Sequence, residues 1–286
     1  MMKFQDARTV LALAGIMMGG VLCPAQSAQD SPVPDAPSPN KCHNADFRVV
    51  IDVGHTVGVP GALSARGIPE YAFNLQLGTE IQQALLKAGF EKAVLMITDK
   101  APPSGLAERA ARANKMHADL FVAIHHDSVP DRLLQTWQYN GKTQYYDDDF
   151  PGYALFVSYE NARRSGSLRF ADLLGKALEA NGLTYTPHYT WPLMGRYRHE
   201  LVDAAAGVYR YDRLVVLRET QMPAVLLEAG SIVNRVEELQ LGTPERRALI
   251  SAAVLAAVDE FCAASRQESA QSPFGRSAAS DPDRSR

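Results

Sequence analysis

Short apolar runs with polar ends alternate along the chain with longer stretches that have helical periodicity. Residues 47–52 are rich in β-branched apolar side chains and lead into a polar loop that contains His55, which predicts a buried strand with a polar tip. Apolar positions in residues 71–88 recur at helical spacing and stop before Gly89, a residue type that often ends helices. A further apolar run at 93–98 completes a β-α-β unit.

The same alternation continues towards the carboxyl terminus. The pattern predicts helices over 106–116, 168–180 and 244–261, and strands over 120–124, 155–158 and 225–228. Alternating strands and helices indicate an α/β fold, in which a single domain has a mostly parallel central sheet with helices on both faces. Ligands bind such sheets at the carboxyl ends of the strands, where functional side chains are therefore expected.

The chain divides into one predicted domain and two polar flanks. Residues 29–43 are rich in Pro and Ser and are predicted to be a disordered linker, and 265–286 are predicted to be a disordered tail. The predicted domain is 44–264. Within it, 130–152 and 185–213 follow neither periodicity and are rich in aromatic and charged residues, so we interpret both as insertions or loops near the site.

The amino terminus has the pattern of an export signal. Lys3 and Arg8 supply positive charge, 9–22 are apolar, and small residues follow, which predicts a signal peptide at 1–28 and a periplasmic or secreted protein. The apolar run is shorter than the roughly 20 residues that span a bilayer. We therefore expect no transmembrane anchor after signal cleavage.

The charge of the chain limits the classes of binding partner to be expected, and its cysteines allow a disulfide. The chain has 29 basic and 32 acidic residues and a net charge of -3, which gives no electrostatic reason to expect nucleic acid as a partner. Cys42 and Cys262 stand at the two ends of the predicted domain. An oxidising compartment permits them to pair, and two free thiols are the alternative, because the sequence does not supply their separation.

Polar side chains suited to metal binding stand at the predicted strand tips. His55 follows the first strand, His125 follows the third, Glu228 ends a later strand, and Glu70 begins the first helix. Two imidazoles and one carboxylate are a donor set that catalytic zinc uses, with a fourth position open for water. Each residue alone is more often an ordinary loop residue than a ligand, so the spacing by itself does not settle the site.

Ordered motifs strengthen this interpretation. They are Ile51-Asp52-Val53-Gly54-His55, Glu70 with Asn74-Leu75, Ala118-Asp119-Leu120-Phe121 leading into Ile124-His125, and Pro223-Ala224-Val225-Leu226-Leu227-Glu228 with Gly230. With these motifs, residues 47–262 closely resemble the zinc-dependent N-acetylmuramoyl-L-alanine amidases, the cell-wall hydrolases of amidase type 3. The sequence departs from the family at Thr56-Val57, where a glycine pair is usual, and at His126, where a small residue is usual.

The resemblance implies roles for the named residues. It makes His55, Glu70 and His125 ligands of Zn2+ and Glu228 the catalytic carboxylate, and it makes peptidoglycan the substrate, cut between N-acetylmuramic acid and L-alanine. It also implies a protein activator as a partner, because some relatives carry a helix that blocks the metal until a partner moves it. By that analogy Glu200 is a candidate blocking ligand, although a solvated surface carboxylate is the simpler interpretation.

Two other functions fit parts of the pattern. A zinc peptidase that acts on a related wall peptide needs the same donor set, and product analysis separates it from an amidase. A non-catalytic wall-binding regulator can keep the fold, but it has no need to keep the three ligands and Glu228 together.

Overall fold

The computed structural model describes residues 42–271, and the side chains of 42–265. The predicted signal peptide 1–28, the linker as far as residue 41 and the tail beyond residue 271 lie outside the described residues.

Nine strands form a seven-stranded sheet and a separate hairpin in the described part of the chain. The strands are β1 (Val49–Val53), β2 (Val94–Met96), β3 (Leu120–Asp127), β4 (Gln135–Tyr139), β5 (Lys142–Tyr146), β6 (Ala154–Val157), β7 (Glu200–Asp203), β8 (Val208–Arg210) and β9 (Ala224–Ser231). The sheet has the order β2-β1-β3-β9-β6-β8-β7, and β4 pairs only with β5. Its pairings are parallel except for β6 with β9 and β7 with β8. The predicted mostly parallel sheet is confirmed.

Helices cover both faces of this sheet. They are α1 (Glu70–Lys87), α2 (Ser104–Lys115), α3 (Arg164–Ala180), α4 (Val215–Arg218), α5 (Glu237–Leu241) and α6 (Pro244–Gln271). Alternate strand residues point to opposite faces, and Val49 and Ile51 accordingly join the core beneath α1, α3 and α6. Val50, between them, joins a second core beneath α2 and α4. The α/β fold of one domain with helices on both faces is therefore confirmed.

Three predicted boundaries move outwards in the structure. Strand β3 continues past Ile124 to Asp127, because β9 pairs with it beyond that point and opposes Glu228 to His125. Strand β9 likewise continues past the predicted end at Glu228 to Ser231. His125 therefore lies within its strand instead of after it, and Glu228 lies within its strand instead of at its end. Helix α6 runs past the predicted end at Phe261 to Gln271, so residues 265–271 of the predicted disordered tail are helical. This segment has no glycine or proline to stop a helix.

The two predicted insertions also differ from simple loops. Within 130–152, β4 and β5 form the hairpin, and the Trp137 indole Nε1 donates to the Ala65 carbonyl at 2.8 Å, which fixes the hairpin against the loop before Glu70. Within 185–213, β7 and β8 extend the central sheet at one edge. The four strands in these two segments are short and have many polar and aromatic side chains. They therefore lack the apolar run by which a buried strand is recognised.

A disulfide joins the two ends of the domain. Cys42 and Cys262 are bonded, with their Cα atoms 5.3 Å apart and a sequence separation of 220. Cys262 lies on α6 and is 1% exposed. The paired state is thus the one adopted, and residue 42, placed in the linker by its composition, belongs to the folded domain.

Loss of this disulfide is expected to destabilise the domain by about 3 to 5 kcal/mol, because the bond removes chain entropy from a long loop in the unfolded state. The variant Cys42→Ser/Cys262→Ala and the oxidised parent, both without residues 1–28, would be compared by urea unfolding. Thiol titration of the denatured parent should find no free thiol. Two free thiols, or equal free energies of unfolding, would contradict the prediction.

Helix α6 is apolar because it is a core helix. Residues 244–265 are long and apolar enough by composition to cross a membrane. In the fold, however, Ile250, Val254 and Val258 on this helix are fully buried in the core that α1 and α3 share. The apolar face is therefore accounted for by packing.

Candidate metal centre and active site

Three predicted ligands meet at the carboxyl edge of the sheet. The Glu70 carboxylate lies between two imidazoles: its Oε2 is 2.8 Å from His55 Nε2 and its Oε1 is 3.0 Å from His125 Nδ1. One donor atom from each residue lies within 4.8 Å of the others, a separation that one metal ion can bridge. The side chains come from the tip of β1, the first turn of α1 and strand β3.

Two glycines make room for this cluster. A Cβ atom at Gly54 would overlap the His125 ring, and a Cβ atom at Gly61 would lie 2.5 Å from Glu70 Oε2 and 2.8 Å from His55 Nε2. Gly61 also has a φ of +81°, in the region that favours glycine. Any side chain at either position would therefore displace a donor.

A buried ion pair fixes the tip of β1. Arg109 on α2 donates from Nη1 to Asp52 Oδ1 at 2.6 Å, and it also donates to the carbonyls of Val53 and His55. Burial raises the pKa of Asp52 to about 6, while the Arg109 guanidinium opposes that rise. His55 has a φ of 66°, which a residue with a side chain rarely adopts, and the bond from Arg109 holds its carbonyl there.

The structure distinguishes His125 from its neighbour His126. His125 lies at the cluster, whereas His126 points to the opposite face of β3, as adjacent strand residues must. There the His126 Nδ1 is 2.7 Å from Asn74 Oδ1 on α1. Burial lowers the pKa of His126 to about 3, so the ring is neutral and Nδ1 donates. Since Asn74 Nδ2 donates to Glu70 Oε1 at 3.1 Å, His126 supports the ligand Glu70 indirectly.

Glu70 is held ionised. Burial alone would raise the pKa of this carboxyl group, but hydrogen bonds with His125 and His55 outweigh burial and hold it well below the usual range. The Ala62 amide also donates to Oε2 at 3.3 Å. A carboxylate between two imidazoles has the charge and geometry that a divalent cation requires.

Glu228 lies beside the cluster on the neighbouring strand. It is the register partner of His125 in the parallel pair β3 and β9, so the two side chains share one face of the sheet. Its Oε2 is enclosed and has no hydrogen-bond partner among the described residues. Burial, with smaller contributions from the Asp127 and Glu70 carboxylates, raises the pKa of Glu228 well above its usual value. This carboxyl group is thus available to exchange a proton.

A second buried acid, Asp127, acts electrostatically on Glu228 and was not among the predicted site residues. Burial raises the pKa of Asp127 to about 7, against the hydrogen bond that the Tyr189 hydroxyl donates to its Oδ1 at 2.6 Å. His188 Nε2 lies 3.8 Å from Asp127 Oδ2, and neither atom has a hydrogen-bond partner in the described chain. The position of Asp127 directly after two histidines was the one signal in the sequence. Its partners Tyr189 and His188 lie within 185–213, and no local pattern connects that segment to β3.

Glu200 is remote from the donor set. It lies on β7, its side chain is 63% exposed, and its Oε2 is 3.4 Å from Arg210 Nη1. It is not among the donors that the structure groups around Glu70. The simpler interpretation as a solvated surface carboxylate therefore fits its position.

The fold and the site together define an α/β domain with a metallohydrolase-like centre. The sequence profile of a family described as N-acetylmuramoyl-L-alanine amidase matches residues 49–260. An N-acetylmuramoyl-L-alanine amidase of Mycobacterium tuberculosis is 24% identical over 212 residues, which cover 72% of this chain and 74% of the relative.

Two solved amidase structures share the fold. The catalytic domain of CwlV from Bacillus (Paenibacillus) polymyxa is 27% identical, with a TM-score of 0.55, over 75% of this chain and 97% of that one. Ami1 from Mycobacterium smegmatis is 20% identical, with a TM-score of 0.58, over 77% and 98%. The chain belongs to the N-acetylmuramoyl-L-alanine amidase family, and as a member it is an amide-hydrolysing enzyme.

Proposed function

We propose that this protein uses zinc to hydrolyse the amide between N-acetylmuramic acid and L-alanine in peptidoglycan. The observation that carries the proposal is the convergence of His55, Glu70 and His125 within 4.8 Å, with Glu228 adjacent on β9. The imidazole and carboxylate donors match the preference of zinc, and the donors grouped among residues 42–265 number three, as in catalytic sites. Family membership supplies the bond that is cut.

The chain's own residues provide the proton transfers. A bound zinc ion supplies Lewis acidity towards the scissile carbonyl and a positive charge that favours the ionised form of Glu228. Glu228 then accepts a proton from the attacking water and returns it to the nitrogen of the leaving L-alanine. Glu70 is already ionised in the metal-free protein, and as a ligand it would keep its negative charge because the bound cation would stabilise it.

Space for the substrate lies directly beside the donors. A cavity of about 200 Å³ is lined by His55 and His125, by other polar and charged residues such as Lys100, and by the apolar side chains of Leu106, Leu214, Val216 and Leu226. Such a mixed lining suits an amide whose neighbours are a methyl-bearing lactyl group and alanine. We place the scissile bond at this cavity.

Hydrolysis of a wall polymer requires access to it, so we propose a periplasmic or secreted location. The support is the polar chemistry of the substrate and a disulfide, which oxidising compartments permit. Septum cleavage, wall remodelling and recycling are the physiological uses open to such an activity, and dependence on a protein activator stays a prediction.

The products of peptidoglycan digestion test the proposal. The zinc-loaded protein, its chelated form and the chelated form with zinc restored would each be incubated with purified peptidoglycan, and soluble products would be identified by mass spectrometry. We expect stem peptides with a free L-alanine amino terminus, lost on chelation and recovered with zinc. Fragments cut within the peptide would instead establish a peptidase, and binding without any cleavage would favour a wall-binding regulator.

A further inference from the structure

A groove rich in arginine runs along the segment 185–213. It consists of two cavities of about 440 Å³ each, which share Arg196 and Tyr197 as lining residues. The first cavity is also lined by Arg132 and Tyr189, and the second by Arg198, Arg210 and Arg213. We call the two together the arginine groove.

The charge of the arginine groove is opposite to that of the chain. Five arginines line it against three acids, Asp131, Glu200 and Asp212, whereas the whole chain has a net charge of -3. Two of those acids are already engaged, because Arg210 pairs with Asp212 at 2.7 Å and with Glu200 at 3.4 Å. The groove therefore attracts anions although the protein as a whole does not.

Three of its guanidinium groups have no acidic partner. Across residues 42–265, no carboxylate oxygen lies within 4.0 Å of the side-chain nitrogens of Arg196, Arg198 or Arg213. All three side chains are exposed. Arg196 instead donates to the Tyr197 hydroxyl at 2.7 Å and lies over the same ring, which orients one guanidinium group along the groove. Planar guanidinium groups bind carboxylates through paired hydrogen bonds.

Two residues connect the arginine groove to the surroundings of the candidate active site. Tyr189 lines the first cavity and donates to Asp127 on β3, close to His125. Arg213 lines the second cavity, and the next residue, Leu214, lines the cavity that contains His55 and His125. A molecule with its reacting amide at the donors can thus extend into the groove.

We propose that the arginine groove binds the carboxylates of the acidic peptide on the leaving side of the scissile amide, so that the enzyme selects peptides with free carboxylates. The inference rests on the proposed function. An uncharged glycan offers only neutral acceptors, whereas a carboxylate forms stronger, charge-assisted hydrogen bonds with unpaired guanidinium groups. A long polyanion would meet the net negative charge of the protein. A short acidic peptide satisfies both conditions.

Two synthetic substrates test the proposal directly. One is N-acetylmuramoyl-L-Ala-D-Glu-L-Lys with free carboxylates, and the other has the same sequence with both carboxylates converted to amides. For the zinc-loaded protein we expect kcat/KM to be about 10-fold higher for the free acid, mainly through KM, as expected for a few exposed charge-assisted contacts. Raising the salt concentration should reduce the preference, because exposed charges are screened.

The variant Arg196→Gln/Arg198→Gln/Arg213→Gln should lose this preference, because its kcat/KM for the free acid should fall towards the value for the amidated substrate. The matched control is Arg163→Gln, an exposed arginine in a different cavity, near Pro223 before β9. It should keep the preference. Thermal unfolding of each variant checks the fold.

The tripeptide L-Ala-D-Glu-L-Lys and its amidated form, titrated by calorimetry, provide a readout without catalysis. Tighter binding of the acid by the parent than by the triple variant supports the groove. Cleavage of both substrates with equal efficiency, or equal binding of both peptides, overturns the groove while leaving the amidase function intact. Failure to cleave either substrate overturns the proposed function, and the proposal that rests on it falls as well.

Discussion

Replacement of Glu228 by Gln is expected to reduce kcat for a soluble muramoyl peptide by about 10²- to 10⁴-fold, the usual contribution of a general acid–base group. Gln keeps the shape of the side chain but neither accepts nor returns a proton. Zinc content should be unchanged, because Glu228 is not among the three grouped donors. Stability should be equal or higher, since the change removes an acid whose ionisation burial disfavours.

A matched variant separates this effect from a general loss of negative charge. Glu200→Gln alters an exposed carboxylate on β7 and should retain the activity of the parent. Activity would be followed by release of the peptide amine, zinc by elemental analysis, and stability by thermal unfolding. Retention of more than about a tenth of the activity by Glu228→Gln would be incompatible with a general base at this position.

The second large effect is on zinc binding, which should be lost when His125 is replaced and kept when the adjacent His126 is replaced. His125→Ala should weaken zinc binding by more than about 100-fold, because even partners that only orient a ligand contribute 10- to 100-fold. Activity should be lost at ordinary zinc concentrations. The metal-free protein should also lose some stability, because the change removes a hydrogen-bond partner of the buried Glu70 carboxylate.

His126→Ala should behave differently. The variant loses the hydrogen bond to Asn74 and leaves a buried gap beside Phe73, so the free energy of unfolding should fall by about 1 to 3 kcal/mol. Zinc should still bind when supplied in excess. Zinc affinity would be measured by competition with a chelator, and stability by urea unfolding in chelator. The reverse pattern, with zinc lost only in His126→Ala, would assign the ligand to His126.

Much of the fold could be predicted because its central strands are buried on both faces. Strands of this kind are mostly apolar runs. Strand β1 is apolar except for Asp52, and its end marks the carboxyl edge of the sheet where His55 lies. Glu70 could be predicted as a third donor because it stands at the start of the first helix, just beyond the loop that contains His55. That the donors approach within 4.8 Å is a tertiary result, which the strand tips suggested and the family resemblance sharpened.

The edge of the sheet could not be predicted in the same way. Strands β7 and β8 are only four and three residues long. Some of their side chains pack in the core and others line a groove, so the strands lack a simple apolar pattern. Tyr209 is fully buried on β8, while the neighbouring Arg210 lines the arginine groove. Contacts such as Tyr189 with Asp127 join segments far apart in sequence, and no local periodicity encodes them.

The disulfide between Cys42 and Cys262 also determines where in the cell the domain reaches its full stability against unfolding. In a reducing cytosol this bond does not persist, so a newly made chain lacks the link between the segment before β1 and the end of its last core helix. With the periplasmic or secreted location that we propose, the domain gains that contribution only after export. The enzyme would then reach its full stability in the compartment that contains the wall, and a chain retained inside the cell would be the form most easily removed by proteases.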